Sequence, residues 1–200
     1  TSEDRTFSLD TVPQEYQAFG NGDFRIPAYQ VKLENGSRIT DLRYVGHNVY
    51  QGKKGLEGLP ATYTNEDHEC ETLEIYLEDQ LIGLKVTLNY SLFTELDVIT
   101  RSVKFSNEGQ ENLQLLRVLS MSVDFRESDF EMITLYGAHN NEKNFERRPI
   151  VSGIQMVDSA RGASSPHQAP FVALVRKETN EDCGEVYAFN LVYSGNFTAQ

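Results

Sequence analysis

The chain has 200 residues, 39% of them hydrophobic, with 10 Tyr, 11 Phe and no Trp. That composition fills a globular core and holds no apolar run long enough to cross a bilayer or to serve as a signal h-region. Eighteen Lys and Arg against 30 Asp and Glu leave a formal net charge of −12, which disfavours nucleic acid and anionic membrane but not a neutral ligand such as a sugar.

No shift in composition divides the chain, so a single domain is expected. The first distinctive stretch is QEYQAFGNGDFRIPAY, residues 14–29. Gly20 and Gly22 suit the left-handed backbone of a sharp bend, and Pro27 marks entry to a strand. Asp23 and Arg25, two apart, share one side of an extended chain. They are read as part of a loop that turns the chain and positions it against a neighbouring domain, or else as lining of a substrate pocket. Next, AYQVKLE and SRITDLRYV flank Asn35-Gly36, the strongest short-range hairpin signal because both central positions of a type I′ turn need positive φ. A hairpin over residues 28–45 is expected.

Leu73, Ile75 and Leu77 alternate with polar residues, as do Leu84, Val86, Leu88, Tyr90 and Leu92, which predicts half-buried strands of an antiparallel sheet. Asn107-Glu108-Gly109 closes DVITRSVKF, after which Leu119, Met121, Val123 and Phe125 predict another inward strand face. Thr179-Asn180-Glu181-Asp182 separates FVALVRKE from EVYAFNLVY as a turn. Ten or more closely spaced strands without sustained helical periodicity predict an all-β antiparallel sandwich. The last strand pattern, VYAFNLVYSGNF, ends a few residues before Gln200, and the chain starts at Thr1 without a methionine. Part of a longer protein, incomplete at one or both ends, is therefore expected.

Cys70 and Cys183 are far apart and indicate neither a disulfide framework nor a metal site, so a reduced, cytoplasmic setting is expected. The glycosylation patterns at Asn35, Asn89 and Asn196 are incidental there. No H-E-x-x-H, G-x-S-x-G or phosphate-cradling motif occurs, and His47, His68, His139 and His167 are scattered; neither metal nor cofactor is expected. A retaining glycosidase needs only two carboxylates about 5 Å apart, but no local motif selects a pair. In DSARGASSPHQAPF, residues 158–171, the side chains of Arg161, Ser164, Ser165, His167 and Gln168 offer donors and acceptors suited to sugar hydroxyls or to a domain interface. The alternative is a buried turn in which the serines satisfy backbone groups and Arg161 pairs with Asp158.

Three segments taken together carry a resemblance: QEYQAFGNGDFRIPAYQ; LPATYTNEDHECETLEIYLEDQLIGLKVTLNYSLFTELDVITRSVKF; and DSARGASSPHQAPFVALVRK with GEVYAFNLVYSGNF. With phrases such as LPATY, DVITRSVK, ERRP, RGASS and VYSGNF, they closely resemble the N-terminal region of family 36 α-galactosidases of the bacterial, melibiose- and raffinose-hydrolysing type, over nearly the whole chain. The resemblance implies a galactose-mutarotase-like β-supersandwich preceding a (β/α)8 barrel that carries the catalytic aspartates. Those residues would lie beyond Gln200, so none is expected to be catalytic here. The implied partners are the chain's own C-terminal barrel, further copies in a homo-oligomer (a tetramer in some members) and an α-galactoside whose pocket this domain helps to wall.

One place departs from the family pattern. GAHNNEKNFERRP has His139 where a tryptophan usually stands, and histidine offers a smaller face for stacking on a sugar or a neighbouring subunit. Two other readings compete: a free-standing sugar-binding module, which the lack of Trp disfavours, and a mutarotase-like epimerase. The epimerase would need histidine acid and base groups with a glutamate in one cleft.

Overall fold

A computed structural model describes residues 9–20, 22–164 and 166–200. Among the described residues there are twelve strands, β1 (Tyr29–Lys32), β2 (Arg43–Gln51), β3 (Glu71–Asp79), β4 (Leu84–Phe93), β5 (Val98–Asn107), β6 (Gln114–Val118), β7 (Glu131–Ala138), β8 (Asn141–Pro149), β9 (Val157–Ser159), β10 (Gln168–Val175), β11 (Val186–Asn190) and β12 (Phe197–Ala199). In these described residues every paired ladder between strands is antiparallel, and helical structure is confined to three single 3₁₀ turns. The all-β antiparallel class expected from strand spacing is the class observed. No helix in the described residues is long and apolar enough to cross a membrane.

The backbone forms two compact units, each with its own sheets. The first comprises the described residues of Thr1–Gly55 together with Tyr63–Phe125. It contains the four-stranded sheet β2-β3-β4-β5 and the separate pair β1-β6. Its core gathers Tyr16, Ala28, Tyr29, Val31, Leu84, Val86 and Leu88. The Tyr16 and Tyr29 rings stack at 5.5 Å, and Phe105 tilts against both. Each buried phenol finds a partner, Tyr16 donating to the Leu119 carbonyl at 2.7 Å and Tyr29 meeting the Thr40 hydroxyl at 2.9 Å, as burial of a polar tip requires.

The hairpin expected over residues 28–45 does not form. Gly36 has φ +85°, but Asn35 keeps negative φ, and Gly36 N donates to the Leu33 carbonyl at 2.9 Å. That is a type I turn followed by a left-handed glycine, rather than type I′. Asn35 Oδ1 accepts from Ser37 N and holds this form. Beyond it the chain leaves: Asp41 N is drawn to the Asp79 carboxylate at 2.7 Å, β1 pairs with β6, and β2 pairs with β3.

The alternation in β4 also breaks at its end. Leu84, Val86 and Leu88 are buried as expected, but Ser91 is buried and Leu92 is 43% exposed. Ser91 meets the Thr72 hydroxyl, which donates to the Gly52 carbonyl at 2.6 Å, so a crossing segment covers the polar face there. For the same reason β3 buries Thr72, while Leu73, Ile75 and Leu77 are only half-buried. Residues 119–125 form no strand. Their partners lie in the first loop instead: Leu119 N donates to Ala28, and Gln17 and Gln14 donate to Ser122 and Asp124.

The second unit comprises Leu56–Thr62 and Arg126–Gln200, with the sheet β11-β10-β7-β8 and the pair β9-β12. The expected turn at residues 179–182 joins β10 to β11, with Val175 opposite Val186. Asn180 organises it, its Oδ1 accepting from Asp182 N and Cys183 N. Arg147, from the ERRP phrase, donates to the backbone carbonyls of Thr179, Arg176 and Lys177 and pairs with Glu131. One planar five-donor fork thus binds the turn to the sheet.

Candidate functional site

The two loops singled out in the sequence belong to different units and are taken separately. In the first, Gly20 and Gly22 have the positive φ expected of the bend. Asp23 is buried, its side chain 4% exposed, and the Arg25 guanidinium grips it at 2.7 Å through Nη2 and 3.0 Å through Nε. Arg25 N also donates to the same carboxylate. Hydrogen bonds from Arg25 hold the Asp23 carboxyl below the usual carboxylate range against the opposing effect of burial. The bond to Asp23, with Asp124 2.5 Å away on the other side, raises the Arg25 pKa. Both residues are therefore engaged inside their own unit, with Asp124 as a third member that sequence reasoning missed. Its neighbourhood read as a strand, and nothing local marks a partner 99 residues away.

The same loop is tied down a second time at Glu15. Tyr90 donates its hydroxyl to the Glu15 carboxylate, and the guanidinium of Arg101 lies 4.3 Å from the Tyr90 ring centroid and 3.7 Å from Glu15. Arg101, in the DVITRSVK phrase, has a side chain only 5% exposed, so its charge is sheltered by aromatic faces and one carboxylate.

In the second unit, the stretch 158–171 runs from the end of β9 through a loop into the start of β10, with Ser159 buried, residues 168–171 half-buried and the described residues of the loop between the strands mostly exposed. Ser159 Oγ donates to the Ala163 carbonyl, Gly162 N to Asn196 Oδ1 at 2.6 Å, and Ser164 N to the Ser194 carbonyl at 2.7 Å. The RGASS and VYSGNF phrases are stitched to each other by these bonds. Arg161 and His167 are exposed, Ser164 is half-buried, and Ser165 lies outside the described residues. Of the alternative reading, the serine part is met at the buried Ser159, whose hydroxyl satisfies a backbone carbonyl, while among the described residues no Arg161–Asp158 ion pair is found.

Beside this loop stands the tip of the β7-β8 hairpin, which bears His139. Gly137 N donates to the His167 carbonyl at 3.1 Å, and a Cβ at Gly137 would stand 2.4 Å from the Asn141 carbonyl oxygen and 2.8 Å from that of Pro166. Only glycine allows this approach. Asn140 and Lys143 take left-handed backbone at φ +62° and +57°, a conformation more costly for lysine than for asparagine. Between hairpin and loop lies a cavity of about 230 Å³, with apolar lining from Leu135, Pro166, Ala169 and Pro170 and polar lining from Ser164, Glu142 and Lys143. Of the described residues expected to face a substrate or an interface, only Ser164 lines it.

All four histidines are exposed. His47 contacts the Tyr44 hydroxyl at 2.5 Å, and His68 lies 3.2 Å from Glu66. Among the described residues no group of three or more His, Cys, Asp or Glu could hold a metal ion.

This antiparallel fold with its stitched loops has close counterparts. The family model for the glycosyl hydrolase family 36 N-terminal domain matches residues 1–200. Alpha-galactosidase AgaA of Geobacillus stearothermophilus is 60% identical over 197 residues, 98% of this chain and 27% of the relative. Alpha-galactosidase Mel36A of Lactobacillus acidophilus is 45% identical over 193 residues, 96% of this chain and 26% of its own length. The crystal structure of an AgaA variant in complex with raffinose superimposes with a TM-score of 0.97 at 59% identity, covering 100% of this chain and 28% of that one. The α-galactosidase from Lactobacillus brevis superimposes at 0.93 with 42% identity, over 96% of this chain and 26% of that one. The chain belongs to the glycosyl hydrolase family 36 N-terminal domain family. It spans about a quarter of the length of the curated relatives it matches.

Proposed function

We propose that the chain is the non-catalytic N-terminal domain of a retaining α-galactosidase that removes terminal α-galactosyl residues from melibiose- and raffinose-type oligosaccharides. The observation that carries this reading is the family match across the whole chain, with relatives whose remaining three-quarters lies outside it. A relative's complex with raffinose supports the substrate class. Within the chain, the buried carboxylates are held by donors of their own unit: Asp23 by Arg25, Glu74 by Tyr50, Tyr76 and Lys54, and Asp79 by the amides of Asp41 and Leu81. Carboxylates so engaged support the scaffold rather than attack a glycosidic bond, which requires an opposed pair free to act as nucleophile and acid.

In this reading the domain supports a catalytic barrel, takes part in subunit assembly and contributes the rim of the galactose pocket. The rim candidates are Arg161, Ser164, Ser165 and His167, with Asp23 and Arg25 as interdomain positioning residues. The free cysteines Cys70 and Cys183 suit a cytoplasmic enzyme. The test is turnover of a nitrophenyl α-galactoside by the purified 200-residue chain and by the parent protein containing it. Activity confined to the parent is expected; turnover by the chain alone, above any contamination control, overturns the reading.

A further inference from the structure

Asp23 and Arg25 turn inward, and the residue between them is thereby forced outward. Phe24 is 84% exposed. It is not held loosely: its two neighbours are locked to each other, Arg25 continues to Asp124 and to the Leu9 carbonyl, and Gln17 Nε2 holds the Ile26 carbonyl at 3.1 Å. On the same loop Phe19 is 41% and Ile26 38% exposed, and Gly20 backs onto Ile39, itself 56% exposed. An apolar group this large, on a backbone fixed by a buried ion pair, loses little conformational freedom when it is covered. That combination characterises an interface anchor rather than a stray surface residue.

We infer that Phe24 is the anchor of a docking surface to which the exposed Phe19, Ile26 and Ile39 also belong, and that its occupant is an apolar recess in the remainder of the same polypeptide. The inference rests on reading the chain as one domain of a longer enzyme. The choice of occupant follows from length: the relatives carry about three-quarters of their residues outside the matched region, and a covalently tethered partner is present at high effective concentration. The chemistry agrees, since the patch itself is apolar and the two carboxylates beside it, Asp23 and Asp124, are both already bound by Arg25. Asp23 and Arg25 thus act as positioning residues for Phe24.

The experiment is hydroxyl-radical footprinting of the unsubstituted parent protein, with oxidation of Phe24 read by mass spectrometry in the native and urea-unfolded states. In the native parent the Phe24 rate is expected at least about tenfold below the unfolded rate, as for a side chain excluded from solvent at an interface core. It should stay there when the sample is diluted until light scattering gives a monomer. Oxidation within about twofold of the unfolded rate overturns the inference, because an uncovered ring is fully accessible. Protection lost on dissociation to monomers assigns the surface to a second copy and overturns the intramolecular occupant. α-Galactosidase turnover is measured on the same sample. An active parent with Phe24 exposed removes this inference alone, whereas an inactive parent removes the reading beneath it.

Discussion

Arg25 and Asp23 are joined three times, through the Arg25 backbone amide, Nε and Nη2, across a spacing of only two residues. Asp124 receives the remaining Nη1 and, through its other contact, the amide of Gln14. A local pair thus becomes the fastening between the first loop and the segment after β6.

Replacing Asp23 with Asn leaves Arg25 partly buried against one carboxylate instead of two. A loss of about 2–4 kcal/mol is expected in urea unfolding of the protein, the scale for breaking a buried pair from one side. The pH dependence follows from the lowered Asp23 pKa. Its contribution is fully present above the unfolded value of about 3.9 and is lost as pH falls through the lower folded value. The variant should therefore show a shallower loss of stability below about pH 4. A slope identical to that of the unsubstituted protein would contradict the assignment.

Arg147→Lys should be nearly as damaging as Arg147→Ala. The guanidinium reaches three backbone carbonyls and Glu131 at once, whereas an ammonium on a flexible stem cannot reproduce that fork. About 2–3 kcal/mol is expected from either change, with faster hydrogen exchange in the 179–182 turn. Full rescue by lysine would mean that charge alone mattered.

In the first core, Leu88 is 1% exposed, and Leu88→Ala should cost about 2–5 kcal/mol through lost burial and an incompletely collapsed cavity. Leu92→Ala, in the same strand but 43% exposed, should cost about 1 kcal/mol or less. Equal thermal shifts for the two variants would show that the break in alternation is not real.

Gly137→Ala pushes a methyl group into the Asn141 and Pro166 carbonyls. The hairpin tip must then move away from the loop between β9 and β10, with an expected destabilisation of about 1–3 kcal/mol. Amide exchange at Ser164 and Gly162 should rise if the loop leans on the hairpin. In the parent enzyme, a changed KM for oligosaccharides with kcat nearly preserved would fit a role at the pocket rim; an unchanged KM would argue against one.

Much of this protein was legible in one dimension. Period-two alternation in β3 and β4, the 179–182 turn and the left-handed bends at Gly20 and Gly22 depend on neighbours in sequence, and phrases such as ERRP and RGASS carried the family resemblance. The sequence also set Asp23 and Arg25 on one side of the chain, because two residues apart in extended chain is a local relationship, while the pairing itself was visible only in the structure. Tertiary structure decided what depends on contacts between distant segments. Asn35-Gly36 turned the chain but did not choose its strand partner, since Asp79 draws Asp41 away and β6 offers β1 its ladder. The run 119–125 alternates like a strand yet is held by Gln14, Tyr16, Gln17 and Arg25. Burial of Ser91 instead of Leu92, and the outward setting of Phe24, likewise depend on which segment crosses which face, because local periodicity specifies two faces of a strand but not which of them another part of the chain will cover.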